Sequence, residues 1–291
     1  MASTRLLKGR IRSVKSTRQI TKAMQLVAAS KMRRAQDAAH ATDPYSKAAQ
    51  ELLTKLSQDG ETKTHPLYQN RKVKRRLIIV ITSNRGLAGA YNSNILKEYV
   101  ARLKKDDSDR ILTDVITIGN KGAQLATRLK NDRVVGVHND LLDDPTGPSL
   151  RAITNMIVDN FKTGEFDKVE VIYTSYINSM TQEVATITLL PAGFTEVEVG
   201  KNIREASYEP SASEVLEAAT VRLIEAQLFQ AILDSVASEH SMRMLAMKTA
   251  TDNANSLVGD LTLEMNKVRQ ASITQELAEI SGGVEAMNGK L

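Results

Sequence analysis

Helical periodicity marks both ends of the chain. Near the N-terminus apolar residues recur at i, i+4 and i+7, in the triplets Leu7, Ile11, Val14 and Ile20, Met24, Val27. This spacing lays an apolar stripe along one face of a helix. It predicts a helical segment over residues 1–58, with a kink or a restart at Pro44.

The C-terminal segment contains no Pro after Ser211, and its first Gly is Gly259. Ser211 is followed three residues later by Glu214, an arrangement typical of a capping box. At 1.5 Å per residue, a helix over residues 211–284 is about 100 Å long, far longer than a small domain. We expect it to pair antiparallel with the N-terminal helix along about half its length. The remainder, including residues 257, 261, 265 and 268, would then need cover from other subunits.

The middle of the chain changes to short β-branched runs. They are RLIIVITS (76–83), ILTDVITIG (111–119), RVVGVH (133–138), KVEVIYTSY (168–176) and EVATITLLP (183–191). Helical patterns separate the first four, whereas about six residues separate the last two. Strands that alternate with helices predict a mainly parallel sheet, and the final pair predicts a hairpin that adds an antiparallel edge. We assign this domain to residues 72–200.

Composition and charge exclude several classes of function. The 291 residues include no cysteine, which excludes disulfides, thiolate catalysis and thiol-based switching. The longest aliphatic run, Leu77 to Ile81, is far too short to span a bilayer, so membrane contact is expected only through a partner. Net charge is +5, but ten basic residues and no acidic residue lie between Met1 and Gln36. This end must meet a negative surface.

The loop SNRGLAGAYN (83–92) follows the first strand and precedes a helix, which is the position of a phosphate-binding loop. It lacks the GxGxxG spacing and the Lys-Ser/Thr of a P-loop, although Arg85 could hold an anion there. The glycines are more typical of a simple turn. The four histidines are scattered, and the paired aspartates lie in charged turns, so we predict no catalytic, cofactor-binding or metal site.

Two alternative functions start from these features. A nucleotide-binding enzyme with helical arms would rest on the loop at 83–92. A nucleic-acid-binding protein would rest on the basic N-terminal face, but the first 44 residues contain no aromatic side chain for base stacking. An acidic protein surface is the better match to that face, and we expect no nucleic-acid partner.

Three long segments resemble one family, the gamma subunit of bacterial F-type ATP synthase. They are IRSVKSTRQITKAMQLVAASKMRRAQ, the loop TSNRGLAGAYN, and MKTATDNANSL together with NKVRQASITQELAEISGG. The resemblance covers the whole chain. It implies an α/β protein in which the terminal helices form a long antiparallel coiled coil and carry an inserted Rossmann-like domain of about five strands.

The resemblance also implies a function and a set of contacts. The chain would be the central stalk that rotates inside the alpha3-beta3 hexamer, with the epsilon subunit and the membrane c-ring as further partners. Matching residues expected to contact the alpha and beta subunits are Met24, Lys31, Arg33, Arg34, Arg85, Arg269, Gln270 and Thr274. It would be a non-catalytic, peripheral subunit at the cytoplasmic face of the cell membrane. The cysteine pair of plastid members is absent, and Val284 stands where the family generally has a small residue.

Overall fold

A computed structural model describes residues 4–58, 65–129, 133–145, 148–193, 209 and 211–288. The chain divides into two compact units, one of Met1–Val27 with Met244–Leu291 and one of Ala28–Arg243. Helix α1 (Thr4–Gln58) and helix α5 (Ala212–Asn288) each contribute to both units. The expected capping box begins α5, where the Glu214 amide donates to Ser211 Oγ at 3.3 Å. Of the kink or restart predicted at Pro44, the restart is wrong, because α1 is one continuous helix.

The first unit is an antiparallel pair formed by the start of α1 and the end of α5. Leu7 and Ile11 are buried against Leu261, and the hydroxyls of Thr21 and Thr251 are 2.8 Å apart. The pairing reaches further along α5 than the sequence led us to expect. Residues 258, 265 and 268 also pack against this cluster, so 261, 265 and 268 are covered within the chain itself.

The second unit contains a five-stranded sheet. Its strands are β1 (Arg75–Ile81), β2 (Leu112–Ile118), β3 (Arg133–His138), β4 (Lys168–Tyr176) and β5 (Gln182–Leu190). Its helices are α2 (Tyr91–Ser108), α3 (Asn120–Ala126) and α4 (Pro148–Thr163), with short 3-10 turns at Pro66–Tyr68 and Asp140–Leu142. The strand order is β3-β2-β1-β4-β5. The first four strands are parallel and β5 is antiparallel to β4, which confirms the predicted sheet.

Both faces of the sheet are covered. On one face Leu77 and Ile79 of β1 pack in a cluster with Phe161 of α4 and with Leu228 and Ile232 of α5. On the other face α2 supplies its own buried residues, Tyr91, Ile95 and Tyr99. A central parallel strand is buried on both sides, which is why β1 is an unbroken apolar run after its first two residues. The 212–243 part of α5 is therefore a layer of the α/β domain.

A buried ionic cluster lies near the start of β1 and β4. Arg76 Nη1 donates to Glu170 Oε2 at 2.6 Å, Lys168 Nζ lies 2.7 Å from Glu170 Oε1, and Arg102 also donates to this carboxylate. Burial alone would raise the pKa of Glu170, but the hydrogen bonds from these three cations outweigh it and lower the pKa to about 2. Glu170 is therefore a charged residue inside the domain.

The carboxyl ends of β1 and β2 approach each other closely. Gly119 follows β2 with φ 100°, and a Cβ there would lie 2.1 Å from the carbonyl oxygen of Thr82. The Thr82 hydroxyl in turn accepts the Gly122 amide at 2.8 Å. Only glycine meets both the backbone conformation and the contact at position 119.

Candidate partner-binding surface

The carboxyl edge of the sheet is the first place to look for a ligand site. From β1 the chain moves to β2 on one side, and β4 later pairs with β1 on the other side. In doubly wound sheets a ligand binds outside the carboxyl ends of the strands where the order reverses. Here that point lies between β1 and β4, and the loop at 82–90 leaves β1 beside it.

The loop at 82–90 is held by its own polar side chains. The Ser83 amide donates to Asn92 Oδ1 at 3.0 Å, and the Ser83 hydroxyl donates to the Arg85 carbonyl at 2.6 Å. The two left-handed residues are Leu87 (φ 63°) and Gly89 (φ 57°). Gly89 thus eases the turn as expected, but Gly86 does not have a positive φ. Leu87 is held in a conformation that is uncommon for leucine, and its side chain is 65% exposed.

Arg243 of α5 binds the carbonyls of this loop. Its Nη2 lies 3.3 Å from the Arg85 oxygen and 3.2 Å from the Gly86 oxygen, and its Nη1 donates to Glu239 Oε1 at 2.6 Å. A phosphate-binding loop directs amide N–H groups towards its ligand. This loop instead directs two carbonyl oxygens towards a buried cation.

The reversal point between β1 and β4 is filled by α5. Tyr91, fully buried, lies beside Ser235 and Glu239 of that helix, and burial raises the pKa of its phenol. Ser235 and Ser238 are also fully buried, and they bind the backbone of Thr174 in β4. The crevice in which related sheets bind nucleotides is thus occupied by the protein's own helix.

Glu239 and His240 give this edge an unusual electrostatic environment. Burial raises the pKa of Glu239, and the attraction of Arg243 opposes that effect. Burial and the nearby Arg243 charge lower the pKa of His240 to about 4, so the imidazole is neutral near pH 7. Arg243 and Glu239 were missed from the sequence. The available signal was a Glu–Arg pair at i, i+4 within a helical segment that is rich in apolar residues.

The eight residues predicted to contact partners fall into two groups. Met24, Arg269, Gln270 and Thr274 belong to the unit formed by the two helix ends, whereas Lys31, Arg33, Arg34 and Arg85 belong to the unit with the sheet. Met24 is half-buried, and the other seven are exposed. The Thr274 hydroxyl donates to the Gln270 carbonyl of its own helix at 3.0 Å. Lys31 forms an exposed ion pair with Asp143 at 3.6 Å, which brings α1 to the loop after β3.

The basic N-terminal face is directed outwards. Nine of the ten basic side chains between Met1 and Gln36 are exposed, and Arg18 is half-buried where it donates to Asn255 Oδ1 at 3.0 Å. Ile20, Leu26 and Val27 are also more than half exposed on this helix. Positive charge and apolar side chains are therefore presented together on α1.

The end of α5 is the most exposed part of the described chain. Every described side chain from 269 to 284 is exposed, including the apolar series Ile273, Leu277, Ile280 and Val284. A soluble helix does not normally leave such a series in water. The long paired terminal helices and this exposed apolar end are typical of one class of protein, a subunit of a larger assembly.

Comparison with known proteins agrees with this class. A family described as ATP synthase matches residues 3–287. An ATP synthase gamma chain of Stenotrophomonas maltophilia is 41% identical over 288 residues, covering 99% of this chain and all of the relative. One from Flavobacterium johnsoniae is 42% identical over 290 residues, again covering 99% of this chain and all of the relative. The chain belongs to the ATP synthase gamma chain family.

Solved structures share the fold. The central stalk and c-ring structure of Tetrahymena thermophila mitochondrial ATP synthase contains a chain with 25% identity and a TM-score of 0.60, which covers 79% of this chain and 99% of its own length. A chain of the Euglena gracilis mitochondrial ATP synthase has 19% identity and a TM-score of 0.70, and the match covers 99% of this chain and 96% of that one.

None of the described helices contains an apolar stretch of sufficient length to span a bilayer.

Proposed function

We propose that this chain is the rotating central shaft of an ATP synthase and does no chemistry itself. The observation that carries the proposal is the end of α5, where every described side chain from 269 to 284 is exposed although the series at 273, 277, 280 and 284 is apolar. Such an end requires a surrounding protein surface. A ring formed by alpha and beta subunits would supply it.

The mechanism follows from symmetry. Three identical catalytic sites in a ring can differ only if something asymmetric stands among them, and one shaft presents a different face to each. A difference of a few kcal/mol in contact energy is enough to change which conformation of a site is populated by orders of magnitude. Rotation would pass these states around the ring and couple proton flow to ATP synthesis, or ATP hydrolysis to pumping.

The catalytic nucleotide would bind in the partner subunits. The crevice between β1 and β4 holds Tyr91, Ser235 and Ser238, and the loop at 82–90 offers carbonyls to Arg243. These contacts favour a structural role for that loop over the alternative of a nucleotide-binding enzyme. The exposed Arg85 side chain remains available to a partner.

The proposed partner contacts form a basic group on α1 and a mixed basic and polar group on α5. On α1, Lys31, Arg33 and Arg34 are exposed beside an N-terminal face that contains no acid, which favours an acidic surface of the beta subunit. On α5, Arg269, Gln270 and Thr274 offer a cation and polar groups to the upper ring. The epsilon subunit and the membrane c-ring would bind the α/β domain, at the cytoplasmic face of the cell membrane. We retain segments 1–58, 72–200 and 211–284 as the functional division of the chain.

Co-expression with alpha and beta subunits tests the proposal. We expect a hexamer that co-purifies with this chain and has ATPase activity that depends on it. A matched control lacks only residues 269–291, and we expect it to bind less tightly because the exposed apolar series is gone. Failure of the full-length chain to co-purify with the hexamer would contradict the proposed function.

A further inference from the structure

Helix α5 completes the sheet at the point where β1 and β4 separate. The parallel ladder between these strands ends at the pair Val80 and Ile172. Thr174 is two residues further along β4, so its backbone N–H and C=O point to the side that β1 has left. These two groups are buried, and each needs a partner.

Serines of α5 supply those partners. The Thr174 amide donates to Ser235 Oγ at 3.1 Å, and Ser238 Oγ donates to the Thr174 carbonyl at 3.2 Å. One turn further on, Ser241 Oγ donates to the Ser179 carbonyl at 2.7 Å and accepts from Gln182 Nε2 at 3.2 Å. All three serines are fully buried. We call them the serine row.

The serine row fixes the position of α5 against the sheet more tightly than the apolar contacts beside it can. Leu228, Ala231 and Ile232 attach α5 to the sheet through nonpolar burial, which has no preferred direction. A hydrogen bond weakens steeply with distance and angle, so the row fixes both the rotation and the height of the helix. Sliding by half a turn, about 2.7 Å, would carry both serine hydroxyls beyond hydrogen-bond reach of the Thr174 amide and carbonyl.

We propose that the serine row is the torque-bearing joint between the α/β domain and the shaft helix. This inference rests on the proposed rotor function, since a static scaffold would need no such joint. Torque applied to the domain by a membrane ring must reach α5 without slip. Ser235, Ser238 and Ser241 are positioning residues in this sense, because they act through the backbone of Thr174 and Ser179.

The test compares the double variant Ser235→Ala/Ser238→Ala with Thr154→Val. Thr154 is a matched control because its buried hydroxyl bonds only to the Leu150 carbonyl of its own helix, at 3.0 Å. Hydrogen exchange on the isolated chain should show the Thr174 amide exchanging about tenfold faster in the double variant only. In complexes reconstituted into vesicles, ATP hydrolysis should stay within about twofold, while proton pumping per ATP hydrolysed falls at least about threefold.

The possible outcomes distinguish failure of the torque role from failure of the proposed rotor function. If the unaltered chain supports pumping and the double variant pumps equally well per ATP, the torque role is refuted. An equal loss in Thr154→Val would also refute it, since general destabilisation would then be the cause. If the double variant does not fold, Ser241→Ala alone must lower the pumping ratio for the proposal to stand. If the unaltered chain supports neither assembly nor pumping, the proposed function itself is wrong.

Discussion

Arg243→Met should destabilise the domain that contains the sheet, by an amount that the structure allows us to estimate. The guanidinium neutralises Glu239, and both side chains are about nine-tenths buried. Removing one partner of a buried ion pair costs about 3 to 5 kcal/mol. Glu239 can escape part of that cost by taking up a proton, because burial already raises its pKa. We therefore expect a loss near the lower end, about 3 kcal/mol at pH 8.

The pH dependence of this loss has a definite sign. Without Arg243, the folded-state pKa of Glu239 rises further above its unfolded value. Stability from such a carboxyl is fully present below the unfolded pKa and is lost as pH rises through the folded pKa. The cost of Arg243→Met should therefore be small near pH 4.5 and should increase towards pH 8.

Urea unfolding followed by tyrosine fluorescence measures this loss selectively. All seven tyrosines lie between Ala28 and Arg243, and the chain has no tryptophan. The control is the double variant Arg243→Met/Glu239→Gln, which removes both charges and should regain at least half of the lost stability. A cost below about 1 kcal/mol that is the same at both pH values would refute the view that Arg243 compensates a buried charge.

Three further predictions test other parts of the molecule. Reversing charge with Arg33→Glu/Arg34→Glu should weaken hexamer assembly or lower ATP-driven pumping, and unchanged pumping would remove this pair from the proposed contacts. Glu170→Gln should cost about 3 kcal/mol at pH 7, because a pKa lowered from 4.5 to about 2 supplies stability above pH 4.5 that disappears as pH falls through 2. Its urea midpoint, compared at pH 7 and pH 3, checks this. Gly119→Ala should cost roughly 3 kcal/mol or prevent folding, since its Cβ would lie 2.1 Å from a backbone oxygen. The control is Gly86→Ala, whose Cβ would meet nothing within 4 Å, so its thermal midpoint should be near that of the parent protein.

The predictable part of the fold is the part set by local pattern. Short β-branched runs located all five strands within a few residues. The physical reason is clearest for β1, a parallel strand that is buried on both faces and is therefore continuously apolar after its first two residues. The capping box located the start of α5 because it involves residues only three positions apart. Local signals of this kind do not depend on the tertiary structure.

The missed part depends on contacts between distant segments. Arg243 and the Arg85 carbonyl are 158 positions apart, and Ser235 meets Thr174 across 61 positions. In a helical sequence a serine is typical of an exposed face, so the residue type gave no indication that Ser235 and Ser238 are buried. The burial of Glu170 was missed for the same reason, because a glutamate within a strand ordinarily predicts a residue directed to solvent. Of the candidate contacts, the sequence alone suggested eight, and partner binding by them remains a prediction.

The uncovered end of α5 has a consequence for the cell that makes this protein. Ile273, Leu277, Ile280 and Val284 are 46%, 60%, 64% and 54% exposed, and in the proposed assembly other chains would cover them. A copy synthesised in excess of its partners therefore exposes an apolar surface that is prone to aggregation. Because of this helix, the cell must synthesise the subunits in balanced amounts. A copy without partners would be removed by proteolysis or would aggregate.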